Sequence, residues 1–173
     1  ACDWMREREV SHIGDWINNL RREDRSLRMG PGGDAGAWAF EYRNDWYPDV
    51  DDTAMVCKSL VRAGDTTPSR PNRAAALRGT RWILAMQNDD GGWAAFDRTR
   101  DRRWMEHVPF ADHNAMQDPS CADITGRTIE SLVTNGLALD HPAIRSAVDY
   151  LRREQRAQGP WWGRWGCNFL YGS

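Results

Sequence analysis

Apolar residues recur every three or four positions in four stretches of the chain. Side chains with this spacing share one face of a helix, so each stretch predicts an amphipathic helix. The predicted helices run from about residue 49 to 63, 73 to 86, 120 to 135 and 142 to 155. A shorter helix is predicted for residues 1–10. Sustained alternation of apolar and polar residues is missing, so the sequence predicts an all-α fold with long loops.

The ends of these helices carry an internal repeat. Segments 78–93 and 146–161 both contain an aromatic and an aliphatic residue, then a glutamine, and finally a glycine and a tryptophan. The opening segment, 1–16, fits a degraded copy, with Glu9 in the place of the glutamine and Trp16 as the closing tryptophan. Repeated helical hairpins that share a core stack into solenoids or close into rings. The repeat therefore predicts one of these two architectures.

Composition excludes several classes of function. The formal net charge is −2, so no strong field favours nucleic acid or an anionic membrane surface. No window approaches the eighteen apolar residues of a membrane-spanning helix. The four cysteines are far apart and form no CxxC pair, which is typical of reduced thiols rather than of a zinc site or disulfide framework. The four histidines show no metal-ligand spacing, and His107 and His113 are only a weak zinc signal.

The stretch DVDDTA crowds three carboxylates, Asp49, Asp51 and Asp52, at the start of a predicted helix. One interpretation is local: Asp49 caps the helix, and the other two favour the positive end of its dipole. A second interpretation is a Mg²⁺ site, because hard cations prefer oxygen ligands. The third is an acid kept protonated, because like charges at close range cannot all ionise. The residues alone leave all three open.

The repeat and the acidic cluster together resemble the squalene–hopene cyclases, the class II triterpene cyclases of bacteria. Segment 78–93 is similar to the QW motif of that family throughout, and DVDDTA is similar to its DxDD signature. Segments 118–127, DPSCADITGR, and 163–172, GRWGCNFLYG, also look like family segments. The resemblance implies part of an α/α barrel, or toroid, with QW repeats and long loops. Residues 1–173 would then be an internal fragment of one barrel domain in a longer, two-domain cyclase.

The resemblance also assigns roles around the acid. Asp51 would be the proton donor, with Asp49 and Asp52 tuning it. Arg127 stands where many members have a histidine, and its fixed positive charge would stabilise the donor's conjugate base. Asp123, one helical turn earlier, would orient Arg127. On spacing alone, the commoner interpretation of Asp123 and Arg127 is an exposed helical ion pair.

The resemblance implies a substrate cavity as well. Aromatic faces stabilise carbocations without trapping them. Glu41 replaces a glutamine of many relatives, and Phe96 replaces a tyrosine. For any single aromatic residue, core packing is the commoner role, and Trp82, Trp93 and Trp161 of the repeat are assigned to it. The implied substrate-binding residues are Phe40, Glu41, Phe96, Asp118, Trp165 and Tyr171.

By the same resemblance, the full enzyme would cyclise squalene to hopene-type or hopanol-type pentacyclic triterpenes without a cofactor or a metal. It would be a homodimer, associated monotopically with the cytoplasmic face of the cell membrane, with no nucleic-acid partner. Two alternatives stay open: a class II diterpene cyclase acting on a prenyl diphosphate, and a non-catalytic α/α toroid that binds a prenylated partner. The fragment alone is expected to be inactive.

Overall fold

A computed structural model describes residues 1–41, 44–64, 70–98, 104–105, 108, 118–165 and 168–173, without the side chains of Asn168 and Tyr171. The described part is mostly helical, as predicted. Its helices are α1 (Cys2–Arg6), α2 (Val50–Arg62), α3 (Pro71–Ala85), α4 (Ala122–Thr134), α5 (Pro142–Glu154) and α6 (Asn168–Gly172). Two short 3₁₀ helices, Asp15–Asn19 and Arg22–Ser26, lie between α1 and the first strand. The strands β1 (Trp38–Ala39) and β2 (Pro48–Asp49) pair antiparallel.

The four long helices lie where the apolar spacing predicts them, and local chemistry explains their ends. Prolines open α3 and α5, where the missing backbone N–H costs no hydrogen bond. Gly64 and Gly136 follow α2 and α4 with φ of 89° and 92°, a left-handed conformation that favours glycine. Helix α1 ends at Arg6, earlier than the predicted Val10. The strands have two residues each, too few to leave a pattern of alternation in the sequence.

The long helices pack around α2 and α4. Helix α2 packs against α3 and α4, and α4 packs in turn against α5 and α6. Helix α1 contacts α3. Much of the main apolar core lies on α2–α5 and on the loops that end the repeats, and its largest fully buried side chains include Trp82, Trp93, Leu20, Ile83, Met86 and Leu132. The core-packing role is confirmed for Trp82 and Trp93, whereas Trp161, assigned the same role, is only partly buried and lies outside the core clusters.

Three copies of the repeat make the same tryptophan contact. In each copy, the indole N–H donates to the backbone oxygen of the aliphatic residue in the preceding helix, at 2.7 Å. A backbone hydrogen bond of 2.9–3.0 Å closes each loop next to the tryptophan. The donor–acceptor pairs of the indole contacts are Trp38–Met5, Trp93–Ile83 and Trp161–Leu151.

The closing tryptophan of the first copy is therefore Trp38, and the assignment of Trp16 was wrong. Residues 11–35 form an insertion that separates Glu9 from the glycine and tryptophan of its own copy. Trp16 belongs to this insertion and packs edge-on against Trp82, with ring centroids 5.8 Å apart. Sequence spacing could not find Trp38, because the insertion is longer than the repeat segment itself.

The central residue of the repeat joins neighbouring copies. The Gln87 amide donates to the Gly91 oxygen at 2.8 Å and to the Ala143 oxygen of α5 at 2.9 Å. Glu9, at the same place in the first copy, is a carboxylate and cannot donate in this way. It instead accepts two hydrogen bonds from Arg78 of α3, at 2.5 and 2.6 Å, and its side chain is only 1% exposed.

The first two copies also contact the helices that carry the candidate site. The Trp38 backbone N–H donates to Thr53 Oγ1 of α2 at 2.9 Å, and the Trp93 N–H donates to Thr125 Oγ1 of α4 at 3.0 Å. Asp51 and Asp123 lie two residues before these threonines. The repeat thus places two carboxylates at equivalent positions on adjacent helices.

Candidate active site

Asp49 ends β2 and caps α2. Its Oδ1 accepts the Asp52 backbone N–H at 3.0 Å, so the predicted capping role is confirmed. Asp49 is also buried, since only 4% of the residue is exposed. Burial raises the pKa of the Asp49 carboxyl to about 7; the hydrogen bond from Asp52 opposes this, and the charges of Asp52 and Asp51 add to it.

Asp51 lies in the first turn of α2, where it meets α4. Its Oδ2 accepts a hydrogen bond from Arg127 Nη1 at 2.7 Å. Its Oδ1 is buried and has no hydrogen-bond partner in the described part of the chain. Burial raises the pKa of Asp51, the Arg127 charge lowers it, and the Asp123 charge raises it; the net direction is upward. The carboxyl therefore holds its proton more strongly than an exposed aspartate does.

The pKa of Asp52, the third carboxyl of the cluster, is raised as well. Burial raises the pKa of Asp52, and the Asp51 charge raises it further against the opposing charge of Arg127. All three carboxyls of DVDD thus have raised pKa values, and the Arg127 charge opposes the rise at Asp51 and Asp52. The geometry favours retained protons on the cluster, and Arg127 can stabilise the charge left when one proton departs.

Arg127 bridges two carboxylates rather than one. Its Nη2 lies 3.5 Å from Asp123 Oδ2, while Nη1 contacts Asp51. The Asp123 side chain is only 3% exposed, and a third of the Arg127 side chain is exposed. The interpretation of this pair as an ordinary exposed ion pair was therefore wrong. Sequence spacing alone cannot reveal that Arg127 has a second carboxylate partner, Asp51, on another helix.

Asp118 lies just before α4 and contacts the segment that ends the second repeat. Its Oδ2 accepts the Phe96 backbone N–H at 2.6 Å. Burial raises the pKa of Asp118 to about 6, opposed by this hydrogen bond and by the Arg164 charge. The Phe96 ring packs edge-on against Trp165, with centroids 6.1 Å apart. Three of the residues implied as substrate-binding thus lie together.

Phe96 also lines an open pocket of about 280 Å³ with Phe40, Glu41, Asn44 and Tyr47. Phe40 is 71% exposed, an unusual exposure for so large an apolar side chain. Glu41 Oε2 accepts a hydrogen bond of 3.4 Å from the Asn44 amide. The pocket combines aromatic faces with two polar side chains, and Asn44 and Tyr47 were not predicted from the sequence.

Some predicted residues fall outside this description. The side chain of Tyr171 lies outside the described residues, as do His107 and His113. Within the described ranges, no group of three His, Cys, Asp or Glu residues is placed to hold a metal ion. Over the same ranges, no helix has both the length and the apolar character needed to cross a membrane.

The structure adds one charged residue that the sequence analysis missed. Lys58 is 7% exposed on α2, and its Nζ lies 2.8 Å from Glu130 Oε2 on α4. Its charge lowers the pKa of Asp51. The available signal was its position: Lys58 follows Asp51 by seven residues, two helical turns along the same face.

Comparison with known proteins shows the family of the chain. The chain matches the family described as the squalene-hopene cyclase C-terminal domain over residues 1–173. The chain belongs to that family. It is 39% identical over 175 residues to a squalene–hopene cyclase of Zymomonas mobilis and 42% identical over 175 residues to one of Schizosaccharomyces japonicus. It is also 42% identical over 195 residues to a terpene cyclase–glycosyl transferase fusion protein of Humicola fuscoatra.

These matches include all of this chain but only part of each relative. The chain covers 25% of the Zymomonas cyclase, 24% of the Schizosaccharomyces cyclase and 14% of the Humicola fusion protein. The resemblance to squalene–hopene cyclases inferred from DVDDTA and the repeat is confirmed.

Proposed function

We propose that this chain carries the catalytic acid of a squalene cyclase. The observation that carries the proposal is the position of Asp51, which lies in a cluster of carboxyls with raised pKa values and contacts Arg127 at 2.7 Å. An isolated alkene is a very weak base, so its protonation needs an acid that stays protonated until the substrate is bound. The cluster meets this first requirement through burial and mutual repulsion.

The second requirement is release of the proton to carbon. The Asp51 O–H bond breaks while the π electrons of the terminal alkene form a new C–H bond, which leaves a tertiary carbocation and a carboxylate. Arg127 stabilises that carboxylate, and Asp123 holds the guanidinium in place. Arg127 stays charged, so it does not relay protons, and water returns the proton to Asp51.

The carbocation then passes along the substrate as successive alkenes attack it and rings close. Phe40 and Phe96 line the pocket, and Trp165 packs edge-on against Phe96. Aromatic faces stabilise positive charge without forming a bond to it. The reaction ends by proton loss or by addition of water, which gives hopene-type or hopanol-type pentacyclic products.

The family supports a larger assembly around this chain. We propose that α1–α6 form part of an α/α barrel whose helix ends are joined by QW repeats, the three copies with equivalent tryptophan contacts. Residues 1–173 would belong to one barrel domain of a longer two-domain cyclase. By the same reasoning the full protein is a homodimer that associates monotopically with the cytoplasmic face of the membrane, where squalene dissolves.

The test uses the full-length protein that contains this chain, incubated with squalene in the absence of added metal. Mass spectrometry of the extracted lipids should show pentacyclic products. Asp51→Asn keeps the size of the side chain but has no acidic proton, so it should abolish the products. Equal turnover by the two proteins would exclude Asp51 as the acid, and turnover of geranylgeranyl diphosphate but not squalene would indicate a diterpene cyclase.

A further inference from the structure

Of the further contacts that join α2 to α4, two lie nearest the proposed acid, and the Arg62–Glu130 pair at 3.2 Å lies one turn farther along α2. Ser131 Oγ donates to the Ala54 backbone oxygen at 2.7 Å, and both residues are fully buried. Lys58 Nζ contacts Glu130 Oε2 at 2.8 Å. With the Asp51–Arg127 pair, these two contacts make up what we call the α2–α4 seam. The Ser131 contact is the one in the seam that lies wholly in the interior.

The Ser131 contact lies one helical turn from the acid on both helices. Ala54 follows Asp51 by three residues, and Ser131 follows Arg127 by four. With a rise of about 1.5 Å per residue, these separations correspond to about 4.5 and 6 Å along the two helix axes. From the Asp51–Arg127 pair to the Ala54–Ser131 contact the residue numbers increase on both helices, so α2 and α4 run in the same direction here. A shift of α4 along α2 would therefore move both contacts together.

The two contacts differ in how much movement they tolerate. Arginine has a long, flexible side chain, and a third of Arg127 is exposed, so its pairing with Asp51 does not fix the helices. Serine places its hydroxyl one atom beyond Cβ, and a hydrogen bond weakens steeply once its geometry departs from the ordinary range. The Ser131 contact therefore limits the displacement of α4 much more tightly than the ion pair does.

We propose that Ser131 is a positioning residue, which holds α4 against α2 so that the Arg127 guanidinium stays at the Asp51 carboxylate. The expected effect of Ser131 on catalysis rests on the proposed function, whereas its effect on the titration of Asp51 can be measured without turnover. The charges that act on Asp51 are those of Arg127 and Asp123 from α4 and of Lys58 from α2. Among these, Arg127 is the largest influence that lowers the pKa of Asp51.

Removal of the Ser131 hydroxyl should let α4 shift along α2. The Arg127 guanidinium, on its flexible side chain, is then no longer confined to the position 2.7 Å from Asp51, and its average distance from that carboxyl increases. In Ser131→Ala the helix is retained, because alanine is the best helix former. The Asp51 carboxyl should then titrate at a higher pH, by about half a unit to one unit, which corresponds to about a three- to tenfold weaker acid. The value of kcat should fall by a similar factor while KM changes little, because Ser131 lies inside the seam.

The experiment is an infrared pH titration of the full-length protein. The carbonyl band of protonated Asp51 is identified by its loss in Asp51→Asn, and its midpoint is compared between the unaltered protein and Ser131→Ala. Thr128→Val is the matched control, because Thr128 is also fully buried on α4 and its hydroxyl has no hydrogen-bond partner among the described residues. This control should leave the Asp51 midpoint unchanged.

A double-mutant cycle separates positioning from a merely structural role. In an Arg127→Gln background, Ser131→Ala should produce no further shift of the Asp51 midpoint, because the charge that it positions is gone. A lower thermal midpoint with an unmoved Asp51 titration would overturn the proposal, and so would equal shifts in both backgrounds. A shifted titration in a protein that does not convert squalene would support the positioning role and refute the proposed function.

Discussion

The Glu9–Arg78 pair offers the sharpest test of how the copies of the repeat are joined. Glu9 is buried at the end of the first copy and accepts two hydrogen bonds from Arg78 of the second, at 2.5 and 2.6 Å. The Arg78 side chain is 17% exposed, so most of it also lies away from water. Glu9→Ala would leave this guanidinium largely buried and without its carboxylate partner.

Loss of one partner from a buried ion pair costs about 3–5 kcal/mol, because the remaining charge stays desolvated. Arg78 retains some exposure and can turn toward water, which places the expected loss near 3 kcal/mol. The chain covers 25% of a relative, so a barrel domain that makes up half of such a protein has about 350 residues. With an unfolding entropy of about 2.1 cal/mol/K per residue, a loss of that size lowers the thermal midpoint of the domain by about 4 °C. The double variant Glu9→Met with Arg78→Met should lose much less, since it leaves no charge behind.

Thermal unfolding of the full-length protein, followed by calorimetry, measures this difference. A Glu9→Ala midpoint within about 1 °C of the unaltered protein, the shift expected for less than about 1 kcal/mol, would refute the reasoning. So would a double variant that is as unstable as Glu9→Ala. Either result would mean that the pair is too well hydrated to join the two copies.

Three further predictions concern other parts of the site and the repeats. Gln87→Ala should lower the unfolding midpoint more than Gln155→Ala, because buried Gln87 reaches a second helix, whereas the side chain of exposed Gln155 bonds, among the described residues, to Gly159 alone; calorimetry compares the two variants. Because the Asp49 pKa is raised to about 7, the folded state holds its proton and loses stability as pH rises from about 4 to 7. Asp49→Asn keeps the cap and should flatten the unfolding midpoint over that window. Arg127→Gln should lower kcat for squalene by at least about tenfold in a product assay, and an unchanged kcat would exclude its role.

Local chemistry made much of the fold predictable. The apolar spacing located α2–α5, and proline and glycine marked several of their ends. The insertion of residues 11–35 was not predictable, because its tryptophan, Trp16, matches the expected spacing better than Trp38 does. The decisive information is the hydrogen bond from Trp38 to Met5, a contact between residues 33 positions apart. The periodicity of apolar residues cannot predict a contact between residues so far apart in the sequence.

In the candidate site too, local motifs were predictable from the sequence, and contacts between helices were not. The carboxylates of DVDD and Arg127 could be assigned from short motifs, because each motif lies within a few residues at a helix start. Three other features could not be predicted from motifs, because they depend on how α2 and α4 pack. They are the burial of Asp123, the contact of Ser131 with α2 and the contact of Lys58 with α4. The pocket residues Asn44 and Tyr47 lie in a loop whose sequence carries no motif.

The equivalence of Asp51 and Asp123 explains why one guanidinium can serve both. The repeat places each carboxylate two residues before a threonine that accepts a tryptophan N–H, so the two acids occupy matching positions on adjacent helices. Arg127 lies one turn beyond Asp123 and reaches across to Asp51. Two like charges facing each other would repel, and the arginine between them converts that repulsion into a fixed orientation. The environment of Asp51, the proposed acid, thus depends on the packing of two repeat units and not on DVDD alone.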